Sequence, residues 1–199
     1  RTTLARDGFS ELGDADRLLT ELSDAVGMPR EEILVGAASA ADPDAALSAL
    51  ARIARRDPAA VGSALRRVGP TLWLLLGASS GFAEFYQRHP EELAELPEPG
   101  GALPSGDDLV AELRAAVDAD ASGFAAHGDE SAWVALRVRY RRLLARIAAF
   151  DLSADDPVAV LPAVAAALAD AAGAALEASS FHPGRTAANH LKVYAQAAG

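Results

Sequence analysis

Three Asp-x-Asp pairs, four histidines and one arginine-loaded stretch are the parts of this chain whose residue types and spacing could do chemistry. Asp14-Ala15-Asp16, Asp42-Pro43-Asp44 and Asp118-Ala119-Asp120 have the spacing that holds magnesium between a protein and a nucleotide. A working pair of that kind sits on a strand just after a Gly-Gly or Gly-Ser turn, and none of the three has that context. The first two fall at helix starts and the third follows a helix end, so capping or solvation is the expected role of each. His89, His127, His182 and His190 are scattered, and none has another histidine at the i, i+4 spacing of a helical metal site. No serine or cysteine elbow lies near His89 in sequence, so the segment His89-Pro90-Glu91-Glu92 reads as a helix stop and restart instead.

The arginines lie in Leu136-Arg137-Val138-Arg139-Tyr140-Arg141-Arg142-Leu143-Leu144-Ala145-Arg146-Ile147. Arg139, Arg142 and Arg146 recur at i, i+3 and i+7, with Arg137 and Arg141 alongside. Like charges stacked this way disfavour an isolated helix by a few tenths of a kcal/mol per pair, on the order of 0.2–0.5. Acidic partners or an anion are therefore expected opposite them. Two readings follow: a solvated face neutralised by Asp and Glu of neighbouring helices, or a domain- or substrate-facing role for Arg137, Arg141, Arg142, Arg146 and Asp151. On the same helix Trp133, Leu136, Tyr140, Leu144 and Ile147, at i, i+3, i+7, i+11 and i+14, predict a buried stripe.

The elements that must position these residues are helices. Hydrophobic residues make up 51 % of the 199 positions but aromatics only 6 %, so the apolar content is mostly alanine and leucine, the composition of packed helices. Asp42-Pro43, Asp57-Pro58 and Asp156-Pro157 each precede an alanine-rich run, where aspartate caps free N–H groups and proline fits the first turn. Helices are expected from about Ala45 to Ala54 and from Pro58 to Val68, broken by Gly69-Pro70. Thr71 to Leu76 then reads as a short apolar stretch before a helix capped by Ser79 or Ser80 and running to about Arg88. Pro97, Pro99, Gly100, Gly101 and Pro104 mark a loop or hinge. Beyond it come a helix from Asp107 to Val117, a loop bracketed by Ser122-Gly123 and His127-Gly128, the long helix opened by Asp129, and a last helix from Pro157 to Ala178. No run alternates with period two for the length of a strand. The expectation is an all-α, multi-helix bundle with no sheet. It comprises a helical subdomain over 1–96, a Pro/Gly-rich loop over 97–106, a second helical subdomain over 107–180 with the arginine helix, and a tail over 181–199.

Composition excludes several functions. A net charge of -10 repels a phosphate backbone, so nucleic acid is not an expected partner. With no cysteine there are no disulfides, thiolate metal sites or cysteine nucleophile. Asp170 and Pro162 interrupt the apolar stretch from Val158 to Leu176, so no membrane span is expected. The natural reading is a cytoplasmic protein, and a chain starting at Arg1 reads as part of something longer.

Three segments together resemble one family. Ala41-Asp42-Pro43-Asp44-Ala45-Ala46-Leu47 is similar to its Asp-Pro-Asp-x-Ala-Leu helix start. Leu76-Gly77-Ala78-Ser79-Ser80-Gly81-Phe82 with Arg88-His89-Pro90-Glu91 resembles its Leu-Gly-x-Ser and His-Pro-Glu element. Leu136-Arg137, Tyr140-Arg141-Arg142, Arg146-Ile147-Ala148 and Asp151-Leu152 resemble its arginine-rich helix, and Leu168-Ala169-Asp170-Ala171-Ala172 its next one. The family is that of the bifunctional glutamine synthetase adenylyltransferase/adenylyl-removing enzymes, and the similar part is their N-terminal helical region, in an alanine-rich, actinobacterial style, over about residues 1–180. Phe150 stands where many members have arginine.

The resemblance implies a parent enzyme whose N-terminal half removes AMP from a tyrosine of glutamine synthetase by phosphorolysis and whose C-terminal half attaches it from ATP. Both halves use magnesium, and glutamine and the PII signal protein regulate them. Partners implied are the downstream nucleotidyltransferase domain, glutamine synthetase and the PII protein. The family's next strand, of the form Ile-x-x-Met-Gly-Lys-x-Gly-Gly-x-Glu before an Asp-x-Asp pair, has no counterpart in Phe181-His182-Pro183-Gly184-Arg185-Thr186-Ala187-Ala188-Asn189-His190-Leu191. No catalytic, cofactor-binding or metal-binding residue of the family therefore carries over. The expectation is a helical scaffold fragment, inactive alone, with a free-standing interaction module using the arginine face as the rival.

Overall fold

The computed structural model describes residues 2–98, 100–118 and 130–180, and among them every regular element is a helix. The expected loop residues 122–128, Asp129, Asp120 and the tail 181–199 lie outside the described residues. The chain divides into two compact units, Arg1–Ala102 with Ala148–Val160, and Leu103–Ile147 with Leu161–Gly199. The change of unit falls inside the Pro/Gly-rich loop, whereas the sequence reading places 148–160 in the second subdomain and the structure groups them with the first.

In the first unit, α1 (Thr2–Arg6), α2 (Leu12–Val26), α3 (Arg30–Ala38), α4 (Pro43–Ala54), α5 (Pro58–Ala78) and α6 (Ser80–Arg88) precede a 3-10 helix, Pro90–Glu95. The centre is α4, which packs on α5, α2 and α6. Its Ala46, Leu47, Ala49, Leu50, Ala51, Ile53 and Ala54 are all buried, and a helix apolar nearly all round belongs in the middle of a core. The aspartate caps form as the sequence predicts: Asp42 accepts from the Ala45 N–H at 2.9 Å and Asp57 from that of Ala60 at 2.9 Å. Asp156 likewise accepts from Val158 and Ala159 at 3.1 and 3.0 Å, at the start of the last helix. Asp42→Ala is expected to lower stability by about 0.5–2 kcal/mol, read as a shift of the urea midpoint at unchanged slope.

α1 and α3 are not anticipated by the sequence reading, and α2, whose start that reading puts at Asp14-Ala15-Asp16, opens two residues earlier, at Leu12. α2 follows Glu11 and α3 follows Pro29, and neither donates or accepts a side-chain cap bond. α2 ends on Gly27 in the left-handed region, at φ 64°, where glycine avoids the Cβ penalty.

The expected break at Gly69-Pro70 is corrected to a kink. α5 continues to Ala78, with Val68 alone at non-helical angles, φ -136° and ψ 27°. Pro70 lacks an N–H and crowds the preceding turn, and the departure at Val68 absorbs that clash. Burial of Leu72, Trp73, Leu75 and Leu76 then holds the helical course beyond it. α6 starts on the Ser79 side chain, which accepts from Phe82 N–H, and stops at His89, as the His-Pro step requires. The Arg67 guanidinium closes the 3-10 helix by donating to the carbonyls of Leu96 at 2.5 Å, Leu93 at 2.8 Å and Ala94 at 3.0 Å.

In the second unit, α7 (Gly106–Ala116) opens with a capping box between Ser105 and Asp108. α8 (Glu130–Leu152) and α9 (Pro157–Ser180) follow, each with one end in the first unit. α9 buries Val164, Ala167, Ala171, Ala174 and Ala178, a seam of small residues spaced by three and four that admits close helix packing. By length and composition Pro157–Ser179 would pass for a membrane span, against the sequence expectation. Two charges nevertheless lie on it: Glu177 pairs with Arg114 at 3.4 Å, and Asp170 is exposed beside Gly106 of α7.

Candidate functional site

The arginines of α8 divide into two groups. Arg139 and Arg146 both reach Glu112 of α7, at 3.4 and 3.1 Å, and the three side chains are only 34, 31 and 20 % exposed. Glu112 thereby offsets the repulsion that two cations on one helix face create. Arg146 also adds to the field that holds the Asp108 carboxyl below its ordinary range, an effect due first to the hydrogen bond from the Ser105 hydroxyl. Arg137 and Arg141, one helical turn apart, are exposed, and their side chains make no hydrogen bond or ion pair among the described residues. Arg142 and Asp151 are half-buried. The five sequence candidates therefore do not form one cluster: Arg146 is engaged with α7, and the outward cationic pair is Arg137 with Arg141. Glu112, which sequence reasoning missed, lies on the amphipathic α7 with nothing local to mark it as the partner of residues 27 and 34 positions away.

The expected stripe holds at Leu136 and Ile147 and moves by one residue between them, from Leu144 to Leu143. Leu136, Leu143 and Ile147 are buried with Ala145 and Ala149, whereas Trp133, Tyr140 and Leu144 are only half-buried. The expected stripe ran through Leu144. Small alanines buried on either side of Ile147 show that the end of α8 is covered on more than one face, which a single-face pattern does not anticipate.

The Asp-x-Asp pairs are separated by their partners. Asp14 takes Arg17 at 3.2 Å while Asp16 takes Arg30 at 2.5 Å. Asp42 caps α4, and Asp44 accepts from the Ser10 N–H at 2.7 Å. Asp118 is exposed with φ 49°. Among the described residues no group of three or more His, Asp or Glu side chains could hold a metal ion. His89 Nδ1 lies 3.1 Å from Glu91, beside the Phe85 ring.

A cleft of about 230 Å³ between α2 and α4 is lined by Glu11, Asp14, Arg17, Asp44, Arg52 and Arg55 among others. Its cations are largely matched at the site. Arg55 donates twice to Glu21, at 2.6 and 3.0 Å, lowering the Glu21 carboxyl and raising its own guanidinium, and Arg17 bridges Asp14 and Glu21. Both signs line an open surface, so the cleft shows no preference for a ligand charge.

What the described residues define is an alanine-rich, all-α segment whose long helix α8 carries an outward arginine pair, Arg137 with Arg141. Similarity to known proteins gives the particular family. The chain is 48 % identical over 180 residues to the bifunctional glutamine synthetase adenylyltransferase/adenylyl-removing enzyme of Leifsonia xyli subsp. xyli, a match covering 89 % of this chain and 18 % of that protein. The enzymes of the same name from Bifidobacterium longum subsp. infantis and Streptomyces avermitilis are 37 and 34 % identical, over 87 and 88 % of this chain and 17 % of each relative. No family model matches the chain, and no solved structure matches it. The chain is thus homologous to the N-terminal region of the bifunctional glutamine synthetase adenylyltransferase/adenylyl-removing enzymes, and it spans less than a fifth of their length.

Proposed function

We propose that this chain is the helical scaffold of an enzyme that modifies glutamine synthetase, without turnover of its own. The observation that carries this is the 48 % identity to a segment amounting to 18 % of such an enzyme. Among the described residues the magnesium that the resemblance implies meets no donor set, since Asp14 and Asp16, and likewise Asp42 and Asp44, are committed to different partners. In this reading its work is positional: the units hold α8 so that Arg137 and Arg141 face an acidic surface or a phosphate of the neighbouring catalytic domain, glutamine synthetase or the PII protein. A setting in the cytoplasm follows from the same reading.

The test is a chimera in which this chain replaces the matched segment of the Leifsonia xyli relative. Charge-assisted bonds from arginine are worth about 1.5–3 kcal/mol, so Arg137→Ala with Arg141→Ala should lower kcat/KM for adenylyl removal by about ten- to a hundredfold. The melting temperature should hold, because exposed arginines contribute little to folding. Full activity in the double variant would reduce the pair to a solvated face. The exposure of Arg137 and Arg141 also favours a second reading, a free-standing module that binds an acidic protein. That reading requires the isolated chain to bind glutamine synthetase, and the double variant to lose binding.

A further inference from the structure

α9 presents a second face opposite in character to its charged edge. Leu161 is 59 % exposed, Leu168 43 % and Leu176 44 %, with exposed Ala165 and Ala172 between them. Their spacing of four, three, four and four puts all five on one stripe, about 120° round the helix from the buried alanine seam. No charge interrupts it, because Asp170 lies against Gly106 and Glu177 pairs with Arg114. A lone exposed leucine needs no explanation, but an aligned apolar row marks an interaction surface.

We propose that the Leu161–Leu168–Leu176 stripe docks an apolar surface of a further domain on the same polypeptide, such as the relatives carry outside the matched segment. This rests on the scaffold reading above. Size selects the occupant. The stripe runs from Leu161 to Leu176, about 22 Å of helix, and at one helix width of about 10 Å it offers on the order of 200 Å². Stable association of free proteins buries about 800 Å² per partner, so the stripe is too small to hold a second copy alone. A tethered domain, present at an effective concentration in the millimolar range, needs far less area. The relatives have room for one, since the matched segment is only 17–18 % of their length.

The chain has no cysteine, so Leu168→Cys introduces its one thiol. Alkylation at that peptide, followed by mass spectrometry, should be fast in the chain alone and slower by more than about tenfold in the Leifsonia xyli chimera, as a site closed by packing requires. Leu168→Asp should leave the melting temperature of the chain unchanged and lower that of the chimera by about 5 °C. Equal alkylation in both proteins would overturn the proposal. So would protection in the chain alone together with a dimer that Leu168→Asp dissolves, or binding to phosphatidylglycerol vesicles lost in the same variant. A protected Leu168 in a folded chimera without adenylyl removal would leave the docking surface standing and sink the scaffold reading. An unprotected Leu168 in an active chimera would do the reverse.

Discussion

Trp73→Ala should lower the free energy of unfolding by about 3–5 kcal/mol, the range for deleting a buried tryptophan. Trp73 is 3 % exposed on α5, just beyond the kink. Its indole lies against α3 where Gly36 has no side chain, and a Cβ built there would fall inside contact distance of Nε1, Cδ1 and Cε2. The two helices approach this closely because glycine leaves the room. Gly36→Ala alone should therefore overpack the crossing, at about 1–3 kcal/mol. In the double variant the new methyl enters the space the indole vacates, so the two losses should sum to less than the separate values. Urea unfolding followed by circular dichroism reads all three proteins without depending on the tryptophan removed. Strict additivity would contradict the packing of α3 on α5.

The second large effect separates neighbours on α8. Leu143 is fully buried and Leu144 only half-buried. Leu143→Ala should lower stability by about 2–5 kcal/mol through the cavity it leaves, and Leu144→Ala by clearly less, because part of its side chain already meets solvent. A reversed order would restore the stripe that the spacing from Trp133 suggests and would overturn a register of α8 in which Leu143 faces the core.

Leu143 illustrates where sequence reading reaches and where it stops. The aspartate-proline starts of α4, α5 and α9 were legible because capping is local: donor, acceptor and proline lie within four residues of each other. The all-helical class was legible for the same reason, from alanine-rich composition and the lack of period-two runs. α3 was not, because Pro29 gives no capping signal, and Asp14-Ala15-Asp16 placed the start of α2 only to within two residues, because Glu11 makes no cap bond. Pro70 marked a disturbance correctly, but whether a helix breaks or bends there depends on what buries the turns beyond it, which is tertiary. The arginine face shows the same limit. Spacing identified five cations and required counter-charges, yet only the fold reveals that Glu112 serves Arg139 and Arg146 while Arg137 and Arg141 point outward. The homology was legible in three short segments because their order along the chain is more specific than any one of them.

The scaffold proposal holds that this chain positions chemistry performed elsewhere on a longer polypeptide. Its most direct test is phosphorolytic release of AMP from adenylylated glutamine synthetase, measured with the isolated chain and with the Leifsonia xyli chimera at equal concentration. The chain should release none and the chimera should release AMP. Release by the purified chain, or a folded chimera that releases none, would contradict the proposal.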